Sequence, residues 1–222
     1  MSTGIKLVVF DCDGTLVDSQ YAITACMTDA FENVGLEAPS IAEVRKIVGL
    51  PLAQAIGHLV SNDNAPLDAM VAAYSKSWQK MRAGGTLDEP LFEGTQDLLE
   101  QLKSAYWTLG IATGKSMRGL QATLDHHRLG AYFSTLQTAD RARGKPDPEM
   151  LHLAMTETGA EPADTLMIGD TTYDIDMAVA AGVRAVGVAW GYHAPEELMR
   201  AGAVHVADDI AALTQFFNDL KE

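Results

Sequence analysis

Ile5-Lys6-Leu7-Val8-Val9-Phe10-Asp11-Cys12-Asp13-Gly14-Thr15 is the stretch on which the reading of this chain turns. The run through Phe10 is apolar and rich in β-branched residues, the pattern of a strand buried on both faces, as in a parallel sheet. Residues two apart in an extended chain point to the same side, roughly 6 to 7 Å from one another. Asp11 and Asp13 therefore share one small site at the end of the strand. Two carboxylates so placed, without basic neighbours in sequence, repel unless a cation or a proton sits with them. Hard oxygen donors favour magnesium. Taken alone, Asp11 to Thr15 also describes a strand running into a turn, since Asp and Gly are common turn formers. Polar groups at the ends of later strands decide between the two.

Outward from that strand, residues 18 to 85 read as one helix after another. Asp18 or Ser19 caps a helix through Phe31 that closes near Gly35, and Ser40-Ile41-Ala42-Glu43 fits a capping box. Leu52 to Val60 and Leu67 to Met81 have helical spacing, and Met and Trp in the latter segment read most simply as core. From Leu91 strands and helices alternate. Expected helices cover Thr95 to Ser104, Ser116 to His127, Pro148 to about Glu157, Thr172 to Ala181, Pro195 to Ala201 and a last one from Asp209. Expected strands cover Trp107 to Ala112, Tyr132 to Gln137, Thr165 to Ile168, Ala185 to Ala189 and Val204 to Val206. Such alternation predicts an α/β fold with a doubly wound parallel sheet of Rossmann-like type. The helical stretch is too long for a loop, so an all-helical domain over 17–85 is expected to be inserted into a sheet domain made of 1–16 and 86–222.

The chain has 222 residues, enough to bury a core without disulfides, and its two cysteines, Cys12 and Cys26, show no pairing motif. With 16 basic and 30 acidic residues the net charge is −14, which argues against nucleic-acid and anionic-membrane partners. No apolar run is long enough to span a bilayer and no leader pattern precedes the first strand. A cytoplasmic protein is expected.

In an open α/β sheet, ligands bind beyond the carboxyl ends of the strands. The second expected strand runs into Thr113-Gly114-Lys115-Ser116, a hydroxyl before a helix start that can face an anion or simply cap the helix. Gly144-Lys145-Pro146-Asp147-Pro148 holds a lysine in a proline-bounded loop. Leu166-Met167-Ile168 runs into Gly169-Asp170-Thr171-Thr172-Tyr173-Asp174, two acids one helical turn apart. The order Asp-x-Asp, Thr, Lys, Gly-Asp-x-x-x-Asp resembles the haloacid dehalogenase superfamily of phosphohydrolases. The resemblance extends over the whole chain, including a helical cap after the first motif, as in members similar to phosphoglycolate phosphatase.

The resemblance implies that Asp11 is a nucleophile forming an aspartyl phosphate and that Asp13 is general acid and then general base. It implies that magnesium is held by Asp11, the Asp13 backbone carbonyl and Asp170, with Asp174 acting behind them on a metal-bound water or on Lys145. Thr113 and Lys145 would hold the phosphoryl oxygens, and Gly14, Gly114 and Lys115 would line the substrate. Many relatives have Thr-Asn-Lys where this chain has Thr113-Gly114-Lys115, which loosens the substrate assignment. In the cap, Arg45 is a candidate for meeting a substrate carboxylate, or is a solvated helix end. Trp190-Gly191-Tyr192-His193 either rims the cleft or forms a buried aromatic corner. The expected partner is a small phosphorylated metabolite, 2-phosphoglycolate or a sugar phosphate. A phosphomutase of the β-phosphoglucomutase type and a catalytically silent phosphate-binding protein are the rival readings, and both monomer and homodimer stay open.

Overall fold

β1 (Leu7–Phe10) is wholly buried and sits inside a six-stranded parallel sheet. The computed structural model describes residues 7–60 and 65–220, so the expected strand positions Ile5 and Lys6 lie outside the described residues. β1 is flanked by β2 (Thr108–Thr113), with Phe10 opposite Ile111, and on its other edge by β4 (Thr165–Gly169), with Phe10 opposite Ile168. β3 (Thr135–Thr138) lies outside β2, and β5 (Arg184–Val188) and β6 (His205–Ala207) extend the sheet beyond β4. The order β3-β2-β1-β4-β5-β6 puts the switch point of the winding between β1 and β4. A crevice opens there at the carboxyl ends, which is where Asp11 and Asp170 emerge.

Between β1 and the rest come α1 (Gln20–Glu32), α2 (Ile41–Arg45), α3 (Leu52–Leu59) and α4 (Leu67–Ala83). They enclose an apolar cluster of their own, with Met27, Phe31, Val44, Ile56 and Met70 at its centre. The chain enters and leaves this insertion through one neck. Val17 and Leu91 form an antiparallel bridge, with Asp18 N donating to Pro90 O at 2.8 Å and Phe92 N to Leu16 O at 3.1 Å. Among the described residues, no helix is long and apolar enough to cross a membrane.

The period-two alternation of β1 divides the sheet's two faces. Val8 and Phe10 pack with α5 (Thr95–Ser104), α6 (Met117–His127) and α10 (Ile210–Asp219) through Leu99, Leu120 and Phe217. Leu7 and Val9 pack with α7 (Glu149–Thr158), α8 (Thr172–Ala180) and α9 (Pro195–Ala201) through Leu151, Ile175 and Leu198.

Three local expectations are corrected. The segment expected to be a strand from Tyr132 begins instead as a 3-10 turn at Gly130–Tyr132, and β3 starts only at Thr135. Tyr132 and Phe133 pack against the α5/α6 face, and pairing resumes when Ser134 N reaches Leu109 O at 2.8 Å. The expected strand at Trp107 starts one residue later because Tyr106 turns the chain with a left-handed φ of 64°. Ser19 stands at the start of α1 without capping it through its side chain; the hydroxyl donates to Asp13 Oδ1 instead.

Candidate active site

The carboxyl ends of β1 and β4 bring Asp11, Asp170 and Asp174 together, with ligand oxygens within 4.8 Å of one another. Asp11 continues the sheet, its N donating to Ile168 O at 2.9 Å. Asp170 accepts from Thr15 Oγ1 at 2.8 Å and from Tyr192 N at 2.9 Å. Asp174 sits one turn into α8, and its Oδ2 accepts from Thr171 N at 3.0 Å and Thr171 Oγ1 at 2.7 Å. Its other oxygen receives Lys145 Nζ at 2.5 Å. The same ammonium lies 2.8 Å from Asp11 Oδ1 as an ion pair, and Asp11 Oδ2 has no partner among the described residues.

The electrostatics of this cluster are unbalanced: three carboxylates face one ammonium, all of them at most 1% exposed. Burial pushes the Asp11 carboxyl up to about 7 against the pull of Lys145. Burial, with the charges of Asp11 and Asp174 behind it, holds Asp170 well above the usual carboxylate range. Burial alone would lower Lys145, but Asp11 and Asp174 outweigh it and keep the ammonium above the ordinary lysine range. A cluster with surplus negative charge, only oxygen donors and an unpartnered buried acceptor at Asp11 Oδ2 fits a hard divalent cation.

Asp13 belongs to a second group. Its Oδ1 receives the Ser19 hydroxyl and lies 2.8 Å from Lys115 Nζ. That ammonium is 3.9 Å from Glu89 Oε2 and stands over the Trp78 ring, 4.6 Å from its centroid. Glu89 is 3% exposed and is held by Arg82 at 2.8 Å and the Thr123 hydroxyl at 3.2 Å. Thr113 ends β2 buried, its Oγ1 accepting from Lys115 N at 3.3 Å. Gly14 turns the chain between the two groups with φ of 83°, where a Cβ would lie 2.3 Å from Asp170 Oδ2. Between the insertion and the β2–α6 corner is a cavity of about 780 Å³ whose lining includes Asp11, Asp13, Thr113, Gly114 and Lys115.

The glycine that departs from the Thr-Asn-Lys pattern has a structural reason. A Cβ on Gly114 would lie 2.7 Å from Gly49 O and 2.8 Å from Leu50 O, and one on Gly144 would lie 2.0 Å from Pro51 Cγ. The insertion's Gly49-Leu50-Pro51 loop is seated where side chains at 114 and 144 would project. Gly114→Asn is therefore expected to force the loop off its seat. If the loop yields and the rest of the fold does not, its seated position loses about 1–3 kcal/mol, and turnover at limiting substrate should fall about five- to 150-fold. Steady-state kinetics alongside thermal unfolding checks this; a loss of activity matched by an equal loss of global stability would point to general misfolding instead.

Arg45 lies apart from the other expected site residues. Its guanidinium donates to Gln20 Oε1 and to the carbonyls of Gly191 and Tyr192, the latter two at 2.7 and 3.2 Å. It also stands 5.5 Å from the Tyr192 ring centroid. It ties α2 to the loop after β5, and it is not among the residues lining the cavity. Ser19, Glu89 and Trp78 are site neighbours that sequence patterns did not single out. Ser19 reads as a helix cap, Glu89 stands in a motif-free loop before Pro90, and Trp78 has the spacing of a core residue. A signal existed only for Tyr192, whose backbone N–H serves Asp170 from the loop after β5.

Residues 8–188 match the family model described as haloacid dehalogenase-like hydrolase. Over 207 residues the chain is 36% identical to "Probable phosphatase IndB" of Dickeya dadantii (strain 3937), covering 91% of this chain and 89% of that protein. It is 30% identical to phosphoglycolate phosphatase 1 of Pseudomonas aeruginosa, covering 94% and 78%. Among solved structures, a predicted phosphatase from Clostridium acetobutylicum superposes with a TM-score of 0.87 at 25% identity, covering 97% of this chain and 99% of that one.

Proposed function

Because this chain belongs to the haloacid dehalogenase-like hydrolase family and is a phosphatase of that family, we propose that it hydrolyses a small phosphomonoester through an aspartyl phosphate on Asp11, with magnesium. The observation that carries this reading is the buried trio of Asp11, Asp170 and Asp174 around Lys145, with Asp11 Oδ2 unpartnered among the described residues. Lys145 pairs with one Asp11 oxygen at 2.8 Å, and the other, Oδ2, has no partner among the described residues and is left to attack phosphorus.

In the proposed reaction an Asp11 oxygen attacks phosphorus in line with the leaving alcohol. The P–O bond to the alcohol breaks as the new P–O bond to Asp11 forms. Asp13 delivers a proton to the departing alkoxide and later takes one from the water that opens the aspartyl phosphate. Lys115 and Ser19 fix the Asp13 carboxylate in place for both transfers, through the contacts at Oδ1. Lys145 and the Thr113 hydroxyl face the charge that spreads over the phosphoryl oxygens. Magnesium, which Asp11, Asp170 and the Asp13 carbonyl would hold with Asp174 behind them, supplies neutralisation of charge on the phosphoryl group.

Residues 17–85 act in this reading as a cap that closes over the site and excludes water. The ester is drawn from small phosphorylated metabolites of the cytoplasm. 2-Phosphoglycolate is the ester in the name of one relative at 30% identity, and the cavity of about 780 Å³ has room for a larger alcohol than glycolate.

The test is phosphate release from a panel of phosphomonoesters. Chelation of divalent ions is expected to lower release at least about a hundredfold and added magnesium to restore it. Equal release with and without magnesium would overturn the metal assignment. A phosphoenzyme that discharges far faster to a sugar monophosphate than to water would overturn hydrolysis in favour of phosphoryl transfer within a sugar.

A further inference from the structure

From the walls of the cavity we infer the class of ester, an inference that rests on the phosphatase reading: the alcohol carries a bulky apolar body, aromatic or branched, and no second charge. The floor of the cavity is polar and holds Asp11, Asp13 and Thr113. Its upper wall, where the part of the substrate beyond phosphorus must lie, comes from α1, the Gly49-Leu50-Pro51 loop and α4. That wall presents Met27, Leu50, Val71, Tyr74 and Trp78. Tyr74 and Trp78 stack at 6.0 Å with an interplanar angle of 20°, and with Lys115 Nζ over the Trp78 ring at 4.6 Å the pair offers its remaining ring surface to a planar apolar group.

A carboxylate or second phosphate on the alcohol would need a cation in the same space. The two cations beside the inner wall are already matched by acids. Lys115 lies 2.8 Å from Asp13, and Arg82 lies 2.8 Å from Glu89. Arg45, the sequence candidate for reading a carboxylate, is bound to backbone carbonyls and lies outside the lining. Arg118 and Gln79 also line the cavity, and both are exposed to solvent, where a charge keeps its water. A two-carbon acid such as glycolate would also leave most of about 780 Å³ unfilled. An apolar body of suitable size gains free energy by leaving water against these side chains, in proportion to the apolar area it buries.

Two phosphonates that cannot be hydrolysed separate this inference from the catalytic reading. 3-Phenylpropylphosphonate mimics the ester of 2-phenylethanol, and 3-phosphonopropionate mimics 2-phosphoglycolate. Calorimetric titration of the wild-type protein with magnesium is expected to show at least about tenfold tighter binding of the aromatic phosphonate. Trp78→Ala is expected to bring the two affinities within about threefold. Phosphate release from 2-phenylethyl phosphate and 2-phosphoglycolate is measured in parallel. Equal or tighter binding of 3-phosphonopropionate, or no binding of either, overturns the inference whatever the turnover shows. Preferential binding of the aromatic phosphonate with no hydrolysis of any ester in the panel supports the pocket and refutes the phosphatase reading.

Discussion

Asp11→Asn is expected to lower phosphate release by on the order of 10⁴-fold or more at saturating substrate and magnesium, while the fold survives. The amide occupies the space of the carboxylate but its oxygen is a poor nucleophile, so the first of the two displacements stops. The structural side of the forecast follows from the charge balance around Lys145. Losing the charge at position 11 leaves the ammonium paired with Asp174 at 2.5 Å, and it removes one of three acids from a pocket with surplus negative charge. The metal-free variant should therefore unfold within a few degrees of wild type, or above it. Two readouts check the two halves: phosphate release, and label retained on acid-quenched protein after exposure to a labelled ester. Wild type should retain label and the variant none. Residual activity within tenfold of wild type would falsify the assignment of Asp11 as the attacking group.

Lys145→Met should be the most damaging single change to stability. The side chain is fully buried and fills space beneath Asp11 and Asp174 with an apolar stem and a charged tip. Methionine replaces the stem but not the tip, leaving Asp11, Asp170 and Asp174 with no cation among the described residues in contact. Removing one partner of a buried ion pair costs about 3–5 kcal/mol. For a chain of this size that corresponds to a fall of about 6–20 °C in the thermal midpoint. Magnesium, binding only the folded form, should narrow the gap, and more in the variant than in wild type. Turnover should drop about 10² to 10³-fold even with metal restored, as expected when a charged donor to the phosphoryl oxygens is lost. Calorimetric melts with and without magnesium test the first part. An unchanged metal-free midpoint would mean that the trio carries protons instead of charge and needs no counter-ion.

The polar groups at the strand ends were legible because a parallel sheet gathers the residues that follow its strands, so Asp11 and Asp170 meet across the β1–β4 crevice although 158 positions lie between them. The alternation of strands and helices gave the class of sheet, and β1 showed its two faces in Leu7/Val9 against Val8/Phe10. What stayed hidden depends on contacts between segments with no common pattern. Trp78 has the spacing of a core residue, and periodicity reports that a face is apolar without reporting whether protein or a cavity meets it. Lys115 lines the cavity, but nothing in the sequence shows that Glu89 and Asp13 converge on it from two different loops. Arg45 had the right chemistry for a carboxylate, and the carbonyls of Gly191 and Tyr192 compete for the same donors. Tyr132 misled because an aromatic beside β-formers reads as strand whether or not its backbone has found a neighbour.

The antiparallel bridge of Val17 with Leu91 makes the helical insertion a closed lobe whose two ends are tied at one point on the sheet. A lobe attached in that way can be lengthened, trimmed or exchanged without altering any strand order, because both splice points stay where they are. The reacting groups on the sheet and the apolar wall over them are thus separately heritable parts. Selection acting on the apolar wall of α1, the Gly49-Leu50-Pro51 loop and α4 can redirect such a chain to a new alcohol while Asp11, Asp13 and Ser19 are left as they were.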